Sequence, residues 1–260
     1  MKTLKDLPRP AIFAHRGASA HAPENTLAAF QLAIRHGCDG IELDAMLSGD
    51  QQVMVIHDSD LFRTTGFKAR VNELPLTALK QLDAGSFFDI EFQNEKIPTL
   101  EEVFEAVGKQ TIINIELKNY ESINDNLPEK VADLVIQFGL QSSVIFSSFN
   151  PIALRKIKKR LPSTNIGLLA LPGRAGWWAR SWPGSLLVAY DAIHPERGDV
   201  DTHLVQHFHK RNKRVHVYTI NLPEEMSRQF ALGVDGIFTD DPVLAVQIKS
   251  DLHPSTSLAE

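Results

Sequence analysis

Short apolar runs alternate with helix-length segments eight times along this chain of 260 residues. The runs cover residues 11–14, 40–44, 111–117, 144–147, 165–170, 192–194, 214–220 and 235–239. Helical patterning is predicted over 26–35, 100–107, 129–138, 151–160, 202–211, 223–232 and beyond Pro242. Repeated strand–helix alternation of this length is the pattern of an α/β (β/α)8 TIM barrel. A doubly wound open sheet alternates in the same way, and periodicity alone does not separate the two. One further run, residues 53–56, follows the turn signal Gly49-Asp50 and breaks the count. It is read as the return strand of an insertion over residues 47–98, between the second barrel strand and its helix. Leu61, Phe62, Leu74, Leu82, Phe87 and Phe88 are predicted to form a small apolar cluster there. The expectation is one catalytic domain over 1–260, with the insertion as a subdomain inside it.

Composition narrows the class. Apolar residues at 43% supply a sizeable core and exclude a disordered chain. A formal net charge of −5 offers no basic excess to grip nucleic acid. Cys38 is the one cysteine, so neither an intrachain disulfide nor a Cys-rich zinc site is available, and a reducing compartment is expected. The first residues carry no signal-peptide apolar stretch, and no run of 18 apolar residues occurs. A cytoplasmic protein without stable membrane insertion is therefore expected; oligomeric state is not encoded.

In (β/α)8 barrels the reacting groups stand at the C-terminal ends of strands. That filter selects His15 and Arg16, Glu42 and Asp44, Glu116 and Lys118, and His57-Asp58 at the end of the inserted run. Glu42 and Asp44 are two apart, so strand alternation puts both on one face. A carboxylate facing a barrel interior is costly unless neutralised or hydrogen-bonded. Three converging acids point to a divalent cation, and all-oxygen donors favour Mg2+ or Ca2+, with Mn2+ as a further candidate. The other reading pairs the acids with Arg16, Lys118 or Arg63. His15 and His57 can supply one base and one acid near neutral pH. His21, His36, His203, His207 and His209 lack that setting and read as solvated. Arg16 and Lys118 suit an anionic, phosphate-bearing ligand. Asn25 or Thr26 is expected to cap the first helix, and Asp240-Asp241-Pro242 reads as a turn into the last one.

These residues recur in a known family. His15-Arg16-Gly17, Pro23-Glu24-Asn25-Thr26, Glu42-Leu43-Asp44, His57-Asp58 and Arg63-Thr64-Thr65-Gly66 resemble motifs of the glycerophosphodiester phosphodiesterases. So do residues 97–102, 114–118, 147–149, 218–221 and 233–240, in the family's order from 15 to 242. The resemblance, to the cytoplasmic bacterial type, implies a phosphodiesterase-type TIM barrel with a small insertion. It implies a divalent cation on Glu42, Asp44 and Glu116, His15 and His57 as the acid–base pair, and Arg16, Lys118 and Tyr218 around the substrate. The implied reaction converts a glycerophosphodiester and water to glycerol 3-phosphate and an alcohol. By analogy with related phospholipases, His15 is the base and His57 the acid. The rival readings are a lysophospholipase D-type phosphodiesterase on the same barrel and a non-catalytic phosphoglycerol-binding module. Tyr218 departs from the family, which often has Trp there, and residues 174–185 match no family motif. That stretch holds Trp177, Trp178 and Trp182 after the fifth barrel strand. They read either as a core stripe of a helix or as an apolar wall near the mouth.

Overall fold

β-branched and large apolar residues in runs of three to eight form nine strands in the computed structural model, which describes residues 6–252. Eight of them are parallel: β1 (Ala11–Ala14), β2 (Gly40–Leu47), β4 (Ile112–Leu117), β5 (Val144–Ser148), β6 (Asn165–Ala170), β7 (Ala192–Pro195), β8 (Arg214–Val217) and β9 (Gly236–Thr239). β1 pairs with both β2 and β9, so the sheet closes into a (β/α)8 barrel. Closure decides against the open doubly wound sheet, which would end in two edge strands, each paired on one side only. β3 (Val53–Val55) is the ninth strand and runs antiparallel to β2.

Helices α1 (Leu27–Arg35), α4 (Leu100–Val107), α5 (Leu127–Gln137), α6 (Pro151–Arg160), α7 (Trp182–Leu187), α8 (Thr202–His209), α9 (Pro223–Ala231) and α10 (Pro242–Leu252) follow barrel strands or, for α4, the segment after β3. Their starts are set by local chemistry. Thr99 and Glu102 form a reciprocal capping box on α4, and Asn150 caps α6 ahead of Pro151. Thr26 caps α1 through its Oγ1, which accepts from the Ala29 N–H at 3.2 Å. Asn25 does not cap; it serves the site described below. Among the described residues no helix is long and apolar enough to cross a membrane.

Strand alternation sorts side chains into two cores. Ile12, Ile41, Leu43, Ile113, Ile115 and Phe146 face outward into the layer between strands and helices. Ala11, Phe13, Ile112, Ile145 and Phe238 face inward and form a separate cluster in the barrel. Above them lie polar interior residues: the Asn114 amide donates to Ser147 Oγ at 2.8 Å, and His194 and His216 bond to each other at 3.2 Å. Gly167 makes room for this pair, because a Cβ there would stand 2.3 Å from the His194 ring.

The segment between β2 and α4 holds β3 and the short helices α2 (Phe62–Thr65) and α3 (Leu76–Leu79). Met54, Ile56, Leu61, Val71, Leu79, Ala84 and Ile97 make a third apolar cluster, with Leu74 and Leu82 packed against it. Phe62, Phe87 and Phe88 do not join it and are exposed, a correction to the sequence reading. Aliphatic residues of β3, α3 and the loops around them already fill the cluster.

Candidate active site

Register builds the centre of the site. β2 and β4 pair so that Asp44 lies opposite Glu116 and Glu42 opposite Asn114. Glu42 and Asp44 therefore face inward on one strand, with Glu116 beside them on the next. One carboxylate oxygen from each lies within 4.8 Å of the others, a separation suited to shared coordination of one cation. Asp44 is 3.4 Å from Arg16 Nε and 3.7 Å from Lys118 Nζ, and Lys118 is also 3.2 Å from Glu116. The ion-pair reading of these acids thus holds for Asp44 and Glu116. Glu42 differs: it is buried, and no Lys or Arg side chain pairs with it among the described residues. Its contact is the Arg16 backbone N–H, which donates to Oε2 at 2.9 Å.

The loop after β1 is shaped to make that contact. Arg16 adopts φ 56° and Gly17 φ 85°, both left-handed. Gly17 also lies against α1, where a Cβ would be 2.7 Å from Ala29. This sharp turn aims the Arg16 amide at Glu42 and returns the chain to Glu24 and Asn25. The Asn25 amide donates to Asp44 Oδ2 at 2.9 Å, and its Oδ1 accepts from the Asp44 N–H at 3.3 Å. Arg63, from the segment after β3, binds Glu24 with two nitrogens, each at 2.7 Å, and Asp58 at 2.5 Å. Arg63 therefore orders the rim rather than the central acids.

Each sequence-selected histidine is held by a carboxylate. His15 Nδ1 lies 2.6 Å from Asp240 Oδ1, and His57 Nδ1 lies 2.6 Å from Asp58 Oδ1. Asp240 follows β9 and also accepts from Asn221 at 2.5 Å and Ser19 at 3.1 Å. Burial works against the Asp240 and Asp58 charges, but these bonds and the Arg63 guanidinium outweigh it and hold both pKa values below normal. An ionised carboxylate only accepts, so it fixes the hydrogen on Nδ1 and leaves Nε2 free to exchange a proton.

Electrostatics separate the central acids. Burial, then repulsion from Asp44 and Glu116, pushes the Glu42 carboxyl well above its usual range. Burial also raises Asp44, but Lys118 and Arg16 overcome it and bring its pKa to about 2. Tyr120 donates its hydroxyl to Glu116 at 2.7 Å, and its ring lies 5.3 Å from Lys118 Nζ. Tyr120, Phe149 and Tyr218 form an edge-to-face row across the ends of β4, β5 and β8. The Tyr218 hydroxyl donates to the Ala170 carbonyl at 2.6 Å, which leaves the ring as the part available to a ligand.

Two cavities meet these groups. A pocket of about 40 Å³ is bounded by His15, Glu42, Glu116, His194 and Tyr218. A groove of about 560 Å³ runs from His57 and Lys118 past Tyr120 to Ser59 and Glu121. All eight residues selected from the sequence lie on these two cavities or bond to residues that do.

Several participants were not selected. In the sequence Asp240 has the setting of a turn and Asn25 that of a cap. Glu24 stands in the sequence only as part of a motif, although its partners Arg16 and Arg63 are both candidate cations for the acids. His194 and His216 alternate in sequence with Ile193, Val215 and Val217, which pack in the outer core, a period-two signal that the two rings face the barrel interior. His21 and His209, read as solvated, bond to Asp241 at 3.0 Å and Asp235 at 2.7 Å.

Comparison with known proteins agrees with this geometry. The model of the glycerophosphoryl diester phosphodiesterase family matches residues 15–244. A glycerophosphodiester phosphodiesterase of Caldanaerobacter subterraneus is 38% identical over 249 residues, covering 95% of this chain and 98% of that protein. A lysophospholipase D of Mus musculus is 31% identical over 265 residues, covering 88% and 82%. A phosphodiesterase of Oleispira antarctica, solved with its product sn-glycerol-3-phosphate, superposes with a TM-score of 0.85 at 32% identity, covering 93% of this chain and 97% of that one. With its closed barrel, converging acids and a family match across nearly its whole length, this chain belongs to the glycerophosphoryl diester phosphodiesterase family.

Proposed function

We propose that this enzyme hydrolyses glycerophosphodiesters to glycerol 3-phosphate and an alcohol, using one divalent cation and two histidines. The observation that carries the reading is Glu42, a buried carboxylate with no cationic side chain paired to it among the described residues, crowded by Asp44 and Glu116. Three carboxylates face two cations, Arg16 and Lys118. A divalent ion and a singly charged phosphodiester together bring the cluster to neutrality. The all-oxygen donor set suits Mg2+ or Ca2+, with Mn2+ also compatible. Such an ion, when bound, would polarise a phosphoryl oxygen and make the glycerol 2-hydroxyl more acidic.

The chain's own residues supply the rest. Arg16 and Lys118 orient the phosphate, and the Tyr218 ring forms a wall beside it. His15, held by Asp240, takes the proton of the 2-hydroxyl as that oxygen attacks phosphorus. His57, held by Asp58, gives its proton to the departing alcohol. A cyclic glycerol phosphate forms; water then opens it with the two roles reversed. The groove that begins at His57 gives the departing alcohol room, which supports His57 as the acid. The catalytic domain carries residues 47–98 as an insertion subdomain that delivers His57, a reading supported by its separate apolar cluster. A cytoplasmic setting suits the single thiol, the buried Cys38.

Lysophospholipase D-type cleavage is the second reading, favoured by the exposed Trp177 and Trp182 in the segment after β6. The test is coupled detection of glycerol 3-phosphate from glycerophosphoethanolamine, glycerophosphocholine and glycerophosphoglycerol, with a lysophospholipid assayed for release of its head-group alcohol. Glycerol 3-phosphate from the water-soluble diesters is expected. Its absence from all of them, with head-group release from the lysophospholipid, overturns the first reading for the second.

A further inference from the structure

Large apolar side chains left in solvent are unevenly placed on this barrel. Ile123 follows β4, Trp177, Trp182 and Leu186 follow β6, Leu222 follows β8, and Val243 opens α10 after β9; all are exposed. Each comes after the C-terminal end of a strand, the end that carries the acids and histidines of the site. The insertion, with its exposed phenylalanines, departs from that end too. Toward the opposite end, among the described residues, Ile136 and Leu252 in the last turns of their helices are comparably exposed; Leu187, next to Leu186 in α7, is exposed as well.

The segment after β6 is the most apolar part of this crown, and it is held in place. Trp178 packs against the main core. Arg180 donates to the Leu171 carbonyl at 2.7 Å and pairs with Asp199 at 2.8 Å. On that base Trp177 is 60% exposed, Trp182 69% and Leu186 72%. Trp178 thus follows the core reading of the sequence, whereas Trp177 and Trp182 are outside the core and exposed. Residues 171–190 contain Arg174 and Arg180 and no acid, in a chain whose net charge is −5.

We propose that this face docks on a phospholipid surface, with Trp177, Trp182 and Leu186 entering the headgroup boundary and Arg174 meeting lipid phosphates. Indoles favour that boundary because one edge is apolar and the N–H stays wet. Guanidinium pairs well with phosphate, and the acid-free segment does not repel an anionic surface. A second copy of the chain seated on the same crown would cover the mouth of the barrel. A lipid surface instead presents phosphodiester-bearing molecules to it. The contact is peripheral, since among the described residues no helix is long and apolar enough to span a bilayer.

The test is co-sedimentation of the full chain with vesicles of phosphatidylethanolamine and phosphatidylglycerol, with tryptophan emission read in parallel. Wild type is expected to pellet with the vesicles and its emission to shift to the blue. Losing one exposed indole should weaken partition about tenfold, and Trp177→Ala with Trp182→Ala about a hundredfold. The double variant should still hydrolyse water-soluble glycerophosphoethanolamine at the wild-type rate. Leu186→Asp should weaken partition in the same direction and guards against a folding defect in the double variant. Wild type that stays in the supernatant, or partition unchanged in both variants, overturns the proposal. So does a concentration-dependent dimer that the double variant loses while wild type ignores vesicles. Partition is read without turnover, so its failure leaves the proposed reaction untouched.

Discussion

Two pairs of histidines share this barrel and live in opposite surroundings. His15 and His57 stand at the mouth, partly exposed, each bonded through Nδ1 to a carboxylate. His194 and His216 lie fully buried among Phe13 and Phe238, bonded to each other. Burial depresses the His194 pKa to about 3, and burial with the neighbouring His194 drives His216 well below normal. The mouth pair has a fixed tautomer and a free nitrogen, the requirements for moving protons. The interior pair stays neutral and packs the barrel, with His194 also lining the small pocket below the acids. What an imidazole does here is decided by the carboxylate beside it and by access to water, not by its being a histidine.

The comparison breaks most visibly under alanine substitution. His15→Ala and His57→Ala should each lower kcat by about 10²–10⁴-fold, the scale of general acid–base catalysis. His194→Gln should leave kcat within a few-fold. Steady-state kinetics on a glycerophosphodiester checks both, and an equal loss at His194 would erase the distinction. Removing the carboxylate while keeping the ring is the next largest effect. Asp58→Asn and Asp240→Asn should cost about 10–100-fold in kcat, the usual scale for a group that orients a functional imidazole. A change confined to KM would show that these acids do not act through the histidines.

Much of this was legible in the chain. Eight alternations give the barrel, and His15, Glu116 and Lys118 at strand ends with Glu42 and Asp44 on β2 give the centre, because alternation on a strand dictates a shared face; β2 itself runs on to Leu47 to pair with β3, beyond the end expected from the sequence. What stayed hidden depends on contacts between residues distant in sequence. Asp240 meets His15 across 225 positions, where β9 and β1 close the barrel. Asn25 resembles a cap in sequence, and only the left-handed turns at Arg16 and Gly17 bring it to Asp44. The exposure of Phe62, Phe87 and Phe88 was illegible for a related reason: hydrophobicity marks a candidate for burial, but the volume available is set by Leu61, Val71 and Leu79.

The interior pair predicts smaller effects, on stability. Gly167→Ala drives a methyl group into the His194 ring and should cost about 1–3 kcal/mol by overpacking, read as a lowered melting temperature. Acid should act through the same histidines. Their folded pKa values lie below the unfolded value near 6.5, so the unfolded chain takes up protons that the folded chain refuses. Their contribution to stability is therefore complete above about pH 6.5 and falls as the pH drops toward the folded values. The slope is at most about 1.4 kcal/mol per pH unit for each histidine. Denaturant titrations of wild type and His216→Phe between about pH 7 and pH 5 should show a shallower loss in the variant. Parallel slopes would mean that the buried pair takes up protons in the folded state.

The central claim is that the acids beside the mouth pair hold a cation without which His15 and His57 cannot turn over substrate. It is tested most directly by glycerol 3-phosphate release from chelated, dialysed protein as Mg2+ or Ca2+ is titrated back. Turnover should be negligible at the start, recover to saturation at one ion per chain, and recover little in Glu42→Gln. Full turnover by the chelated protein would contradict it.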